Sequence, residues 1–465
     1  MVTITVDNKE VQVPDKTNLI EALKSVGIET PHLCYHPELP VSGNCRQCMV
    51  EVDGPRGMSL VIGCYTPVRA GMKVATPASS QKVADARKAV LEFLLVNHPL
   101  DCPICDKAGE CILQENYMMA GASNSRLNPE TGKQFHGNPE HSFTDSKGQH
   151  RGGKRVDIGP RIVLDEERCI QCSRCVRFMR HIAGDEQLQL ALRGGHSHIT
   201  TFPGEKLDHP YDRCVTDICP VGALTDKSFR FRKRVWALSR IPTVSMDDSL
   251  GANIWADYAD GVVYRIMPRC NPDVNKSWIS NAAREVKIHE NRLLTGNILV
   301  AKALIKGKIA IVLGGSCTAE EIATFLERKA EIFSGSFLPI QKPDGIARSG
   351  DPVANRACLN NTKPLSELAK RAGEFDLLIT VAADLWDETP KEAKVLDKIP
   401  KHLALTPFEN ATAKRATLAI GIRHWLENTG TMINSKGMEQ KLQGVPTKES
   451  AQVKSAKAIA EALIE

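Results

Sequence analysis

Twelve residues in the first 219 positions have the types and spacings that hold iron and sulfur. They form three sets: Cys34, Cys45, Cys48 and Cys64; His98, Cys102, Cys105 and Cys111; and Cys169, Cys172, Cys175 and Cys219. Eleven of the fifteen cysteines are used, and every set contains a Cys-x-x-Cys pair. Four thiolates, or three with one imidazole, complete the ligand set of an iron–sulfur cluster. The chemistry implied is one-electron carriage rather than bond making, and three clusters on one chain would form a relay.

The first set, Cys34-x10-Cys45-x2-Cys48-x15-Cys64, suits a two-iron cluster wrapped by a loop. Ser42, Gly43, Asn44 and Gly63 would leave backbone N–H groups near the sulfurs, stabilising the more negative reduced form. Zinc favours two Cys-x-x-Cys knuckles, and this set has one. The second set, His98-x3-Cys102-x2-Cys105-x5-Cys111, has no nearby cysteine to complete it, so His98 is the fourth ligand expected. A neutral imidazole would make this four-iron cluster one charge less negative. On spacing alone, zinc held by three cysteines and one histidine is the competitor. The third set is the bacterial ferredoxin run Cys169-Ile-Gln-Cys172-Ser-Arg-Cys175, with Cys219-Pro220 as the remote ligand. Met179, Asp212 and His209 stand where a second ferredoxin cluster would need cysteines. One four-iron cluster is therefore expected, with Cys214 a buried non-ligand. Cys270, Cys317 and Cys358 are too scattered for a further cluster.

These loops need elements to position them. Residues 2–6 and 10–14 alternate as a hairpin about Asp7-Asn8-Lys9, and Thr17 is expected to cap a helix bearing Leu19, Ile20, Leu23 and Val26, ended by Gly27. Strand, strand, helix and cysteine loop open a β-grasp ferredoxin, with Met49–Val52 and Lys73–Ala75 as further strands. A helix over 80–97, apolar at Val83, Ala86, Val90, Phe93 and Leu94, would deliver His98. Residues 120–155 read as a long irregular loop packed between cluster domains, and 160–225 as a ferredoxin-like unit. Short strands follow at Thr243-Val244, Asn253-Ile254 and 262–266. Residues 308–315 with a helix from Thr318, and the run 375–381, mark an α/β tail.

The bulk numbers fit a globular multidomain protein. The chain has 465 residues, 42% apolar and 25% charged, with net charge +5. That charge gives little reason to expect nucleic acid, and the basic run Lys227–Arg234 reads as a solvated or partner-facing helix. No run of about 18 apolar residues could span a bilayer; 298–313 is broken by Lys302, Lys306 and Lys308. The opening residues look like a strand rather than a signal peptide. Dense Cys-x-x-Cys usage in a reducing cytoplasm means metal chemistry rather than disulfides.

Taken together, the β-grasp with its four cysteines, the His98 set, CIQCSRCVRF, RGG and CPVGALTDK resemble the G-subunit family of bacterial NADH–quinone oxidoreductases, counterparts of the 75-kDa iron–sulfur subunit of mitochondrial complex I. The likeness is close over about 1–235. It implies one 2Fe-2S and two 4Fe-4S clusters ligated by the twelve residues. It also implies partners that bind flavin and NADH, neither of which has a fingerprint here, and electron delivery toward quinone coupled to proton translocation by the complex. The expected place is peripheral, on the cytoplasmic face of the inner membrane. From 243 to 278 the chain looks like the N-terminal module of molybdopterin oxidoreductases, but Ser245, Asp248 and Ala252 stand where that module often has cysteines. Gly430–Gly437 is similar to the ending of the large molybdopterin-type domain, which the tail is too short to contain; no molybdopterin is expected. Gly314-Gly315 lacks the full nucleotide fingerprint. The expected architecture is a β-grasp domain over 1–78, a 4Fe-4S module with one histidine and three cysteines over 79–118, and a ferredoxin-like module with a long loop over 119–234. A cluster-free molybdopterin-oxidoreductase-like module follows over 235–292, then a short α/β scaffold over 293–465. The rival functions are the electron-transfer subunit of a soluble NAD-linked hydrogenase or formate dehydrogenase, and a zinc-bound structural scaffold.

Overall fold

A computed structural model of the chain describes residues 1–96, 98–120, 153–194, 197–285, 288–294 and 296–463. The chain forms two compact units, Met1–Trp236 and Ala237–Glu465. The expected loop over 120–155 lies almost wholly outside the described residues.

The first unit opens with β1 (Val2–Val6) and β2 (Lys9–Val13), antiparallel with Val2 opposite Val13. Asp7 and Asn8 both take positive φ, the backbone that a tight two-residue hairpin turn requires. Helix α1 (Leu19–Ser25) follows. Its N-cap is Asn18, which accepts from Glu21 N–H at 3.1 Å, and not Thr17, whose hydroxyl donates back to Pro14 O. β3 (Met49–Gly54), β4 (Gly57–Ile62) and β5 (Lys73–Ala75) complete a sheet of order β2-β1-β5-β3-β4, with β1 and β5 parallel. Ile4, Val6, Leu19, Leu23, Val50, Val52 and Val74 fill the space between sheet and helix. This is the β-grasp arrangement.

Helix α2 (Gln81–Val96) leads toward His98, and α3 (Ile112–Ala120) follows the second cysteine loop. On α2 the buried apolar residues are Val83 and Leu91, whereas Phe93 is exposed, so the face inward is rotated from the expected one. β6 (Val156–Asp157) and β7 (Ile162–Leu164) join a small sheet completed by β10 (Leu224–Asp226), with Leu164 opposite Leu224. Between them lie α4 (Arg174–Phe178), the hairpin β8 (Gln189–Ala191) and β9 (His198–Thr200), and α5 (Cys214–Ile218). The basic run at 227–234 is not a helix. Residues 227–232 are turns, and Arg234 donates to the carbonyls of Cys105, at 2.7 Å, and Pro103. Arg234 thereby clamps the second cysteine loop, while Lys227 bonds Asp157 and Gly159 O instead.

The second unit begins with the antiparallel meander β11 (Ser239–Val244), β12 (Asn253–Ala259) and β13 (Val262–Pro268). After the helices α6 (Asn281–Arg284) and α7 (Ile298–Leu304) comes a six-stranded sheet, parallel throughout. It is formed by β14 (Ile309–Leu313), β15 (Glu331–Ser334), β16 (Lys363–Pro364), β17 (Leu377–Val381), β18 (Lys401–Thr406) and β19 (Leu418–Gly421) in the order β16-β15-β14-β17-β18-β19. Side chains alternate across it. Ile311 and Leu313 join one buried cluster with α8 (Ala319–Leu326) and the helix Ala456–Ala462, while Ala310 and Val312 join another with the helix Leu365–Arg371. Helices thus cover both faces, as a parallel sheet requires. A final hairpin pairs β20 (Gly430–Ile433) with β21 (Glu439–Leu442). At the switch point between β14 and β17, where such sheets commonly bind ligands, a Cβ at Gly314 would overlap Ala382 O and one at Gly315 would press on Val353 and Ala354. The glycines serve close backbone packing there.

Candidate metal centres

Cys34, Cys45 and Cys48 lie on the loop between α1 and β3, and Cys64 sits in the single turn Gly63–Tyr65 after β4. Positive φ at Gly43 and Arg46 curls the loop. The four thiols converge and are buried. Cys45 and then Cys64 donate toward Cys34, holding its thiol below the ordinary range, and Cys64 does the same for Cys48, which falls to about 7. Cys45 and Cys64, as donors to Cys34, are pushed up. The backbone N–H groups of Asn44 and Cys45 face Cys34, that of Gly63 faces Cys48, and Leu33 N–H lies 3.4 Å from Cys45 Sγ. Of the four donors expected from sequence, Asn44 and Gly63 are therefore in place. Ile20, Tyr35 and Ile62 wall the site against water.

In the third set, Cys172 and Cys175 are buried and Cys169 is half-buried. Positive φ at Gln171 and Ser173 turns the run so that its sulfurs face one side, and Gln171 N–H reaches Cys169 Sγ at 3.4 Å. Cys219, directly after α5, completes the set. Burial, and then the neighbouring thiols, push Cys169 and Cys172 up to about 12. Cys214 is fully buried on α5, as expected of a packed side chain.

The second set is the most open. Cys102 is exposed and Cys105 buried. A cavity of about 270 Å³ is lined by His98, Cys102 and Cys111 together with Leu95, Leu113 and Tyr117. One imidazole and two thiols therefore face a common space, and Cys105 precedes the turn that leads to Cys111. The segment carrying Cys219 also builds this site. Pro220 O accepts from Ile112 N–H at 3.0 Å, and a Cβ at Gly222 would overlap Cys105 Sγ. Sequence reading misses Gly222, since a lone glycine so far along the chain from Cys105 carries no spacing signal.

The third set lies between the other two by direct contact. Toward the first set, Asn44 donates to Gln171 O at 3.0 Å, and two arginines of α4 reach across. Arg174 donates to Tyr35 O and to Ile218 O at 3.1 Å; Arg177 donates to Cys34 O, to Pro40 O and to Cys172 O at 3.3 Å. Toward the second set runs the Cys219–Gly222 segment just described.

No group of three or more His, Cys, Asp or Glu side chains among the described residues closes on a single metal ion. The donor chemistry fits clusters: thiols converge with backbone N–H groups turned to them, and buried cations stand beside them. Arg174 and Arg177 are 5% and 9% exposed, neither has a carboxylate partner among the described residues, and Arg174 Nε is buried with no hydrogen-bond acceptor there. Buried charge without a counterion is strongly unfavourable, and anionic thiolate-bound iron–sulfur would supply one.

In the second unit Asp248 is tied up by Leu250 N–H, Ser349 N–H, Ser349 Oγ and Gly350 N–H at 2.7–3.1 Å, and Ala252 is buried. Cys270 is exposed, Cys317 donates to Val381 O at 3.5 Å and Cys358 to Asn355 Oδ1 at 3.1 Å.

Residues 1–79 match the 2Fe-2S iron–sulfur cluster binding domain model. Residues 87–126 match the NADH-ubiquinone oxidoreductase-G iron–sulfur binding region, and 159–225 the ferredoxin-like domain of NADH-quinone oxidoreductase subunit 3. Residues 238–287 match an NADH-ubiquinone oxidoreductase NDSU1/NuoG-like 4Fe-4S domain, although Cys270 is the one cysteine in that stretch. Among curated relatives, the mitochondrial 78 kDa subunit of NADH-ubiquinone oxidoreductase from Candida albicans is 38% identical over 283 residues, 61% of this chain and 36% of that protein. The 75 kDa subunit from Reclinomonas americana is 40% identical over 284 residues, 61% and 38%. The G subunit of NADH-quinone oxidoreductase from Rickettsia bellii is 38% identical over 284 residues, again 61% and 38%. The chain thus spans under two-fifths of the length of these relatives. A chain of an NAD+-reducing [NiFe]-hydrogenase is 28% identical, with TM-score 0.42, 50% of this chain and 91% of that one being covered.

Proposed function

We propose that this chain, whose residues 1–79, 87–126, 159–225 and 238–287 match iron–sulfur domain models and whose relatives include G subunits of NADH–quinone oxidoreductases, relays electrons inside such a complex from a flavin- and NADH-binding partner toward quinone. The contact order of the three ligand sets carries this reading: first to third through α4, third to second through the Cys219–Gly222 segment. The clusters, when bound, supply the one-electron carriers. Cys34, Cys45, Cys48 and Cys64 would hold the two-iron cluster. His98, Cys102, Cys105 and Cys111 would hold one four-iron cluster, and Cys169, Cys172, Cys175 and Cys219 the other. The chain's own work is to fix their spacing, exclude water and set potentials through ligand type and N–H donors.

The exposed Cys102 and the surrounding Leu100, Ile104 and Met118 suit coverage by another peripheral-arm subunit. No helix among the described residues is long and apolar enough to cross a membrane; the likeness to G subunits of NADH-quinone oxidoreductase is what supports a peripheral place on the cytoplasmic face. The domain limits proposed are 1–78, 79–118, 119–234, 235–292 and 293–465. The last is an α/β scaffold of molybdopterin-oxidoreductase-like type, in which no pterin is expected. Reduction of the purified complex by NADH, followed by EPR, tests the function. One two-iron signal and two four-iron signals should appear and reoxidise with quinone. Reduction by hydrogen or formate instead of NADH would assign the chain to the rival complexes.

A further inference from the structure

Two buried cations stand where the first and third ligand sets meet. Arg174 and Arg177 lie on α4, one turn apart, on the run that carries Cys172 and Cys175. Their guanidinium groups donate to the carbonyls of Tyr35, Cys34 and Pro40 on one side and of Ile218 and Cys172 on the other. Arg177 is near enough to feel Cys34 and Cys64 as well as Cys172 and Cys175, and Arg174 feels Cys34 together with Cys172 and Cys219. Neither is paired to a carboxylate among the described residues. Five donors in a rigid planar fork suit arginine, and not lysine, to holding several carbonyls at once.

We infer that Arg174 and Arg177 are a shared cationic bridge that fixes the first site against the third and raises the midpoint potentials of both. The inference rests on the proposed ligation. Adding an electron to either cluster would add negative charge, and a fixed positive charge beside its ligands in a poorly screened interior favours that reduced state. One guanidinium facing two thiolate sets must act on both. A residue with a packing role alone would leave the potentials where they are.

The test is EPR-monitored redox titration of the intact complex carrying R177Q or R174Q, which keep much of the side-chain length and an N–H donor but remove the charge, alongside R177K and R174K. Iron per chain is measured first. Wild-type complex lacking the expected iron overturns the ligation, a different failure from that of the bridge. In loaded Gln variants both the two-iron and the third-set midpoints should fall, each by about a tenfold change in the oxidised-to-reduced ratio at fixed potential, about 59 mV for a one-electron couple. The second-set midpoint should stay, and the Lys variants should recover most of the shift. Unchanged midpoints, or a shift at one site alone, overturn the shared bridge. Should R177Q fail to load, R174Q carries the same test. If both fail, normal loading of the Lys variants supports the charge, and their failure too reduces the arginines to structural forks.

Discussion

His98 and Gly222 both border the second ligand set, and each can be tested singly. The imidazole lines the same cavity as Cys102 and Cys111. If it binds iron, His98→Cys exchanges a neutral ligand for an anionic one. The cluster should persist, with its midpoint lowered by at least tenfold in redox ratio, about 59 mV, and with the strong imidazole-nitrogen coupling lost from pulsed EPR. His98→Ala should leave an open iron and a labile cluster. Normal electron transfer by His98→Ala in a fully loaded complex would show that the fourth ligand lies elsewhere. Gly222 offers a purely steric test. A Cβ there overlaps Cys105 Sγ, so Gly222→Ala must displace the ligand or the Cys219–Gly222 segment; overpacking of this kind costs roughly 1–3 kcal/mol. Iron content should drop by about four atoms per chain, while the two-iron signal stays. Full iron with unchanged spectra would place Cys105 outside the ligand set. The two residues also differ in legibility. His98 stands out because it closely precedes a cysteine run, whereas Gly222 becomes meaningful only once the fold brings it under Cys105. Arg174 and Arg177 share that fate: their acceptors Tyr35 and Cys34 lie 139 and 143 residues away in sequence.

Among the elements, those with a strict period are readable. The β1–β2 hairpin alternates and has its turn residues at positive φ, and α8 announces itself through Thr318, whose side chain and that of Glu321 form a capping box. β4 escapes sequence reading because Gly57–Ile62 is an outward-facing strand, exposed or half-buried at every position and without apolar alternation. The inward face of α2 is misleading in sequence because Phe93, apolar but exposed, sits close to the Leu91 that packs. Strand β18 carries a buried titratable group with a consequence for stability. His402 lies against Trp386, ring centroids 5.1 Å apart, and burial holds its pKa at about 4. His424 is also buried, pulled down to about 3, and its Nδ1 accepts from Leu426 N–H, a bond that protonation abolishes. An unfolded histidine takes its proton near pH 6.5, so these groups contribute full stability above that pH. The contribution is lost as pH falls from about 6.5 toward 4, on the order of 3 kcal/mol for His402 alone. Urea unfolding followed by tryptophan fluorescence should therefore show the second unit weakening between pH 7 and 5. His402→Gln should flatten part of that slope; an unchanged slope would mean that the histidine is not neutral in the fold.

For the whole molecule, the inference from cysteines to a relay reduces to a count. Three ligand sets of the proposed two-iron, four-iron and four-iron kinds would require about ten iron atoms and ten sulfides per chain. Cys214, Cys270, Cys317 and Cys358 are left over: Cys214 is fully buried on α5, Cys317 and Cys358 donate to oxygens in the second unit, and Cys270 is exposed. Changing all four to Ser or Ala should thus leave iron, sulfide and every EPR signal as in the wild type. The sharper question concerns residues 238–287, whose matching family model is described as a four-iron domain while this chain has Ser245, Asp248 and Ala252 in place of cysteines. Asp248 spends its carboxylate on backbone and hydroxyl donors, and alanine cannot ligate. A chain that nonetheless held a cluster there would carry about fourteen irons, and the quadruple variant would lose about four of them with Cys270. Metal analysis of the wild type and the quadruple variant, run for iron, sulfide, zinc and molybdenum together, separates these cases. Equal iron near ten in both, with neither zinc nor molybdenum at stoichiometric level, is the expected outcome. Zinc in place of iron at any set would break the relay into structural sites and sink the electron-transfer reading.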